Sequence, residues 1–86
     1  MRPIKNKTHF PRDQKEYIMA QSTCGIHVGE RVCVTKKAKS FSHGWNNTWV
    51  SPMNCYIGSV HEVLCISPNG IELSGFGFPY FVLRKV

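Results

Sequence analysis

The stretch Ser59-Val60-His61-Glu62-Val63-Leu64-Cys65-Ile66-Ser67-Pro68-Asn69-Gly70-Ile71-Glu72-Leu73 decides the fold. Ser67-Pro68-Asn69-Gly70 is a strong turn signal, and Ile71-Glu72-Leu73 is the return strand of a hairpin. The longer arm does not alternate cleanly between Ser59 and Ile66, which predicts a bulge within it. Upstream, Glu30-Arg31-Val32-Cys33-Val34-Thr35-Lys36 does alternate. Val32 and Val34 fall on one face and Arg31, Cys33 and Thr35 on the other, giving a first strand. Downstream, Gly75 and Gly77 loosen the chain around Phe76 and Phe78. Pro79 ends that segment, and Tyr80-Phe81-Val82-Leu83-Arg84-Lys85-Val86 closes the fold after a tight turn. No repeat or linker interrupts residues 25–86. A chain this short avoids exposed strand edges best by curling its sheet on itself, so these segments predict an all-β small barrel of four to five strands.

The N-terminal part reads differently. Residues 1–10 are polar and basic without period, the pattern of a mobile arm. From Pro11 to about Gln21 a short helix is predicted: Pro11 suits a first turn, Asp13 and Glu16 favour the positive end of the dipole, and Tyr17, Ile18 and Met19 offer apolar contact. Three turns are marginal alone, so this helix must dock on the barrel or fray. The expected division is a basic arm plus helix at 1–24 and a barrel domain at 25–86.

Between the first and second strands lies Phe41-Ser42-His43-Gly44-Trp45-Asn46-Asn47-Thr48-Trp49-Val50-Ser51-Pro52-Met53-Asn54-Cys55-Tyr56-Ile57-Gly58, which holds both tryptophans and has no period. Aromatic groups in a loop either fold back as a lid or face a partner. Trp49, Pro52, Tyr56 and Ile57 read as the lid. Phe41, His43, Trp45 and Asn47, next to Lys36, Lys37 and Lys39, read as the exposed surface, with Tyr80 beside them.

Composition narrows the function classes. With 86 residues the chain is one domain, too small for a large enclosed active site. No apolar run approaches the roughly 18 residues of a membrane span. The basic start Met1-Arg2-Pro3-Ile4-Lys5-Asn6-Lys7 is not followed by the apolar stretch of a secretory signal, so a cytoplasmic location is expected. In that setting Cys24, Cys33, Cys55 and Cys65 are expected as reduced thiols. The net charge of +6 favours an acidic partner, whether nucleic acid or an acidic protein face.

Residues 28–86, about two thirds of the chain, resemble the SH3-like small barrels, including the KOW type and small barrel proteins of tailed bacteriophages. The residues that carry the resemblance are Val28-Gly29-Glu30-Arg31-Val32, the Trp-containing loop with Met53-Asn54-Cys55-Tyr56-Ile57-Gly58, the hairpin over Asn69-Gly70, and Phe81-Val82-Leu83. It implies an SH3-like barrel and a phage accessory protein acting on a host macromolecule. A KOW-type strand usually has Gly where His61 stands, which ranks nucleic-acid binding second.

Four chemistries can be weighed on the residues themselves. Zinc wants soft ligands delivered as close pairs, and only Cys24, His27, His61 and Cys65 form a set to test; buried or solvent-touched thiols are the expected alternative, so no metal and no cofactor is assigned. Cys55 with His43 is a conceivable nucleophile and base, but no signature surrounds them and the five acids offer no carboxylate pair. No enzymatic activity is expected. Single-stranded nucleic acid suits a basic rim with aromatic platforms. A protein partner suits aromatic and methionine side chains on a loop beside a rigid barrel, and a nucleotide-sequestering groove is a third possibility. The expectation is a non-catalytic module that binds a host protein through Lys36, Lys37, Lys39, Phe41, His43, Trp45, Asn47 and Tyr80.

Overall fold

The computed structural model describes residues 10–86, so the expected basic arm lies almost wholly outside the described residues. Strand β1 (Arg31–Val34) follows the alternation read from the sequence: Val32 and Val34 are fully buried while Arg31 is exposed. It is the centre of a first antiparallel sheet, flanked by β2 (Val60–Glu62) and by β6 (Leu83–Lys85), with Val32 opposite both His61 and Lys85. The second sheet is the hairpin ladder of β3 (Cys65–Ser67), β4 (Gly70–Leu73) and β5 (Phe76–Phe78). Ser67 pairs with Gly70, so Pro68-Asn69 forms the two-residue turn, and Ile71 lies opposite both Ile66 and Phe78.

Among the described residues there are therefore six short strands where four or five were expected, because the long strand is cut at Val63-Leu64. The Val63 N–H donates to the Glu30 carbonyl at 2.8 Å, while the next N–H, of Leu64, donates to Glu72 in the other sheet at 2.9 Å. Two successive amides thus serve two different sheets, which bends the strand at the place where the alternation failed. Among the described residues the two ladders remain separate sheets. A 3₁₀ turn at Tyr80–Val82 follows Pro79 and delivers the chain into β6.

Helix α1 (Gln14–Ser22) starts later than the sequence predicts, with Pro11 ahead of it rather than in its first turn. Asp13 is the N-cap, and its side chain accepts the Glu16 N–H at 2.9 Å, satisfying one of the orphan amides of the first turn. Glu16 in turn accepts the Arg12 N–H at 2.9 Å. The helix docks through one residue pair a turn apart, Tyr17 and Gln21, both buried. Ile18 and Met19 are 39% and 62% exposed, so of the three apolar residues expected to pack only Tyr17 is buried. The Tyr17 hydroxyl donates to Gln21 Oε1 and accepts the Tyr80 N–H, and Gln21 Nε2 donates to the Ser67 carbonyl at 2.7 Å on the edge of the second sheet. Burial raises the pKa of the Tyr17 hydroxyl well above that of a free phenol, so it stays a protonated donor in this network.

One cluster forms the core. Val32 and Val34 from the first sheet and Val82 from the 3₁₀ turn meet Ile71, Leu73 and Phe78 from the second sheet, with Val63 at the bend, Tyr17 from the helix, and Trp45, Trp49 and Met53 from the long loop. No described helix is long and apolar enough to cross a membrane.

Candidate binding site

The segment after β1 is clamped at both ends. The Thr35 N–H and hydroxyl both donate to the Val82 carbonyl, at 2.8 and 2.9 Å. Ala38 is buried in the core, while Lys36, Lys37 and Lys39 on either side of it are exposed. The Lys39 carbonyl then accepts the Ser42 N–H at 3.2 Å and the Ser42 hydroxyl at 2.6 Å. The lysines leave a fixed backbone, and only their flexible stems are free to move.

The chain next makes a tight turn in an uncommon conformation. Phe41 and His43 both have left-handed dihedrals, with φ of 58° and 52°, and Gly44 follows at 77°. Each non-glycine residue held there costs about 1–2 kcal/mol, and such strain persists only when its surroundings impose it. Three contacts impose it here. The Phe41 N–H donates to the Asn47 carbonyl at 2.9 Å and closes the loop at its base. Gly44 lies so close to the N-terminal end of α1 that a Cβ there would land on the Asp13 carbonyl. Trp45 is wholly buried, and its Nε1–H donates to the Asn69 carbonyl at 2.8 Å.

This strained turn carries two aromatic groups outward. Phe41 is 63% exposed. The His43 ring stacks on Phe10 at a centroid distance of 4.5 Å and meets Phe81 edge-on at 5.3 Å. Phe81 in turn contacts Tyr80 and Tyr17, so the cleft wall is continuous with the core. Together Phe10, Lys36, Lys37, Lys39, His43 and Phe81 line an open cleft of about 280 Å³ that has no carboxylate among its lining residues. Among the described residues, none of the three lysines is within ion-pair distance of an acid. Of the five acids in the chain, Glu16 pairs with Arg12 and Glu30 with Lys85, both elsewhere.

The eight residues expected at the site thus separate. Lys36, Lys37, Lys39 and His43 converge on the cleft, and Phe41 projects from the same turn on its other side, beside a depression it shares with Arg12 and Asp13. The expected exposure of Trp45 is overturned, because the loop folds its indole into the core to reach the turn between β3 and β4. Asn47 is also turned inward: its Nδ2 donates to the same Asn69 carbonyl at 3.3 Å, and its Oδ1 accepts the Thr48 N–H. Tyr80 is half-buried against Tyr17 and does not line the cleft. In the lid, Trp49 is buried and donates to Asn54 Oδ1 at 2.7 Å, and Tyr56 packs on Phe76 and Phe78. Pro52 and Ile57 stay exposed, and Met53 takes their place in the core.

Phe10, Ala38, Ser42, Phe81 and Val82 are the cleft residues that sequence reasoning missed. Phe81 lies in the 3₁₀ turn Tyr80–Val82, where strand alternation does not set its direction. Phe10 carried no signal, because its place depends on where the helix docks.

Other chemistries find little to build on. Among the described residues no three of His, Cys, Asp and Glu come together as a metal site, so Cys24, His27, His61 and Cys65 do not converge. Cys55 is exposed, whereas the His43 ring is held against Phe10 and Phe81. Ser59 Oγ lies 2.7 Å from His61 Nε2, but it also donates to the Tyr56 carbonyl, and no described carboxylate hydrogen-bonds the imidazole.

Compared with protein-family models, with curated proteins and with solved structures, the chain matches none of them.

Proposed function

We propose that this chain is a non-catalytic binding module of SH3-like architecture that engages an acidic protein partner through the cleft lined by Lys36, Lys37, Lys39 and His43, with Phe41 as a second contact across the same turn. The observation that carries the reading is the concentration of three unpaired lysines around one cleft beside a strained turn that holds an aromatic side chain out into solvent. Uncompensated like charge destabilises the free protein and is relieved by an acidic ligand, and the exposed Phe41 ring supplies the apolar anchor of an interface. Three features support the SH3-like reading: one bent strand shared by both sheets, a long loop after the first strand, and a 3₁₀ turn before the last. The phage and host setting rests on the sequence resemblance alone.

Single-stranded nucleic acid is the second reading, favoured by the same lysines standing next to exposed Phe10 and Phe41. Burial of both tryptophans removes the broadest stacking platforms and places it second. The test is fluorescence anisotropy with a labelled glutamate-rich peptide and a labelled oligonucleotide, each at low and high salt. The peptide is expected to bind in a salt-sensitive way that Lys36/Lys37/Lys39→Ala abolishes while the melting temperature is unchanged. Binding of the oligonucleotide alone would establish the second reading, and binding of neither would remove both.

A further inference from the structure

We infer that the cleft recognises a phosphate monoester, so that the partner segment it prefers is phosphorylated. This rests on the binding reading above and names the chemistry of the group that enters. The cations lining the cleft are all lysines. The arginine guanidinium is a planar fork that fits carboxylate and phosphate alike, whereas the lysine ammonium is a compact point charge that donates from any direction and binds according to the charge and oxygen count of its ligand. The described arginines are placed elsewhere: Arg12 is engaged by Glu16, Arg31 lies opposite Glu62 on β1, and Arg84 lies opposite Cys33 on β6.

Three point charges around one cleft ask for one ligand group with several acceptor oxygens and more than one negative charge. A carboxylate carries a single charge on two oxygens and leaves part of the set unanswered. A phosphate monoester carries close to two charges on three strong acceptor oxygens.

The remaining donors agree with this. The Ser42 hydroxyl proton is committed to the Lys39 carbonyl, so that side chain supplies no donor. The ring nitrogens of His43 make no hydrogen bond within the described residues. Phe10 and Phe81 fix the ring through its faces and edge rather than its nitrogens, leaving an N–H for the ligand. The lysine stems leave a backbone pinned at Thr35, Ala38 and Lys39, so little backbone order has to be gained on binding.

The experiment uses the full chain and short peptides of one sequence, differing at a single position as phosphoserine, glutamate or serine. Inorganic phosphate and an oligonucleotide of similar charge are the other probes. Binding is followed by calorimetry and by backbone amide shifts. The phosphoserine peptide is expected to bind about tenfold more tightly than the glutamate peptide and more tightly still than the serine one. The largest shifts should fall at residues 36–43, and the preference should vanish in Lys36/Lys37/Lys39→Ala. Inorganic phosphate should compete weakly at the same residues.

Equal affinity for the phosphoserine and glutamate peptides would overturn the inference and leave the acidic-partner reading standing. Failure of every peptide would overturn both. Tighter binding of the oligonucleotide than of the phosphopeptide would overturn the inference in favour of a nucleic-acid backbone.

Discussion

Trp45 is the residue whose replacement best separates a structural from a binding role. Its indole is wholly buried, its Nε1–H bonds the Asn69 carbonyl at 2.8 Å, and it fits against Gly70, where an added Cβ would stand 3.1 Å from Nε1 and 2.9 Å from the Phe78 carbonyl. Trp45→Ala empties that space, and truncations of this size cost about 3–5 kcal/mol. An 86-residue domain has a total stability of roughly 4–13 kcal/mol, so the truncation removes between about a quarter of it and all of it, and a large downward shift of the urea midpoint is expected. Trp45→Phe is milder. It removes the indole donor, yet the Asn69 carbonyl keeps the amide of Asn47 at 3.3 Å, so it is not fully orphaned. The hydrogen bond and the smaller ring together should cost about 1–2 kcal/mol, lowering the melting temperature by roughly 4–16 °C. Urea titration read by far-ultraviolet circular dichroism measures both variants without depending on tryptophan fluorescence. A Trp45→Ala protein whose midpoint stays within about 0.5 kcal/mol of wild type would refute the burial argument and return Trp45 to the surface.

Phe41→Gly removes left-handed strain of about 1–2 kcal/mol and adds a chain-entropy cost of about 0.5–1 kcal/mol, so stability should be unchanged or slightly raised, while affinity for the acidic peptide falls; a loss of stability above about 1 kcal/mol would show that the exposed ring supports the fold instead. The backbone N–H of His27 at 2.8 Å and the nearby Lys85 ammonium at 3.6 Å hold the Glu30 carboxyl below the usual carboxylate range. A lowered folded pKa means that the contribution is present above the unfolded Glu value of about 4.3 and is lost as pH falls through the folded value. Wild type should therefore exceed Glu30→Gln in stability at neutral pH, and the two should converge in acid; a gap that widens as the pH falls would contradict the sign.

Much of the secondary structure was legible because its causes are local. Val32 and Val34 announced β1 by period, and Pro68-Asn69 announced the hairpin by turn chemistry. The broken alternation between Ser59 and Ile66 marked the bend at Val63-Leu64. The lysines and His43 were legible as a surface because Lys36, Lys37 and Lys39 follow directly on a strand end. The division of the aromatic loop was read half correctly. Trp49 and Trp45 sit in equally aperiodic sequence, and nothing local says that both indoles are buried and find acceptors within the fold.

The sequence by itself determined the strands, the turns, the excess of positive charge and the segment that bears it, since each depends on residues within a few positions of one another. Only the tertiary structure decided that Trp45 is core, that Ile18 and Met19 face solvent while Tyr17 and Gln21 anchor the helix, and that Phe10 and Phe81 complete a cleft with His43. Those outcomes depend on which distant carbonyls and rings the fold brings within reach: Asn69 for Trp45, Ser67 for Gln21, and Phe81 for Phe10.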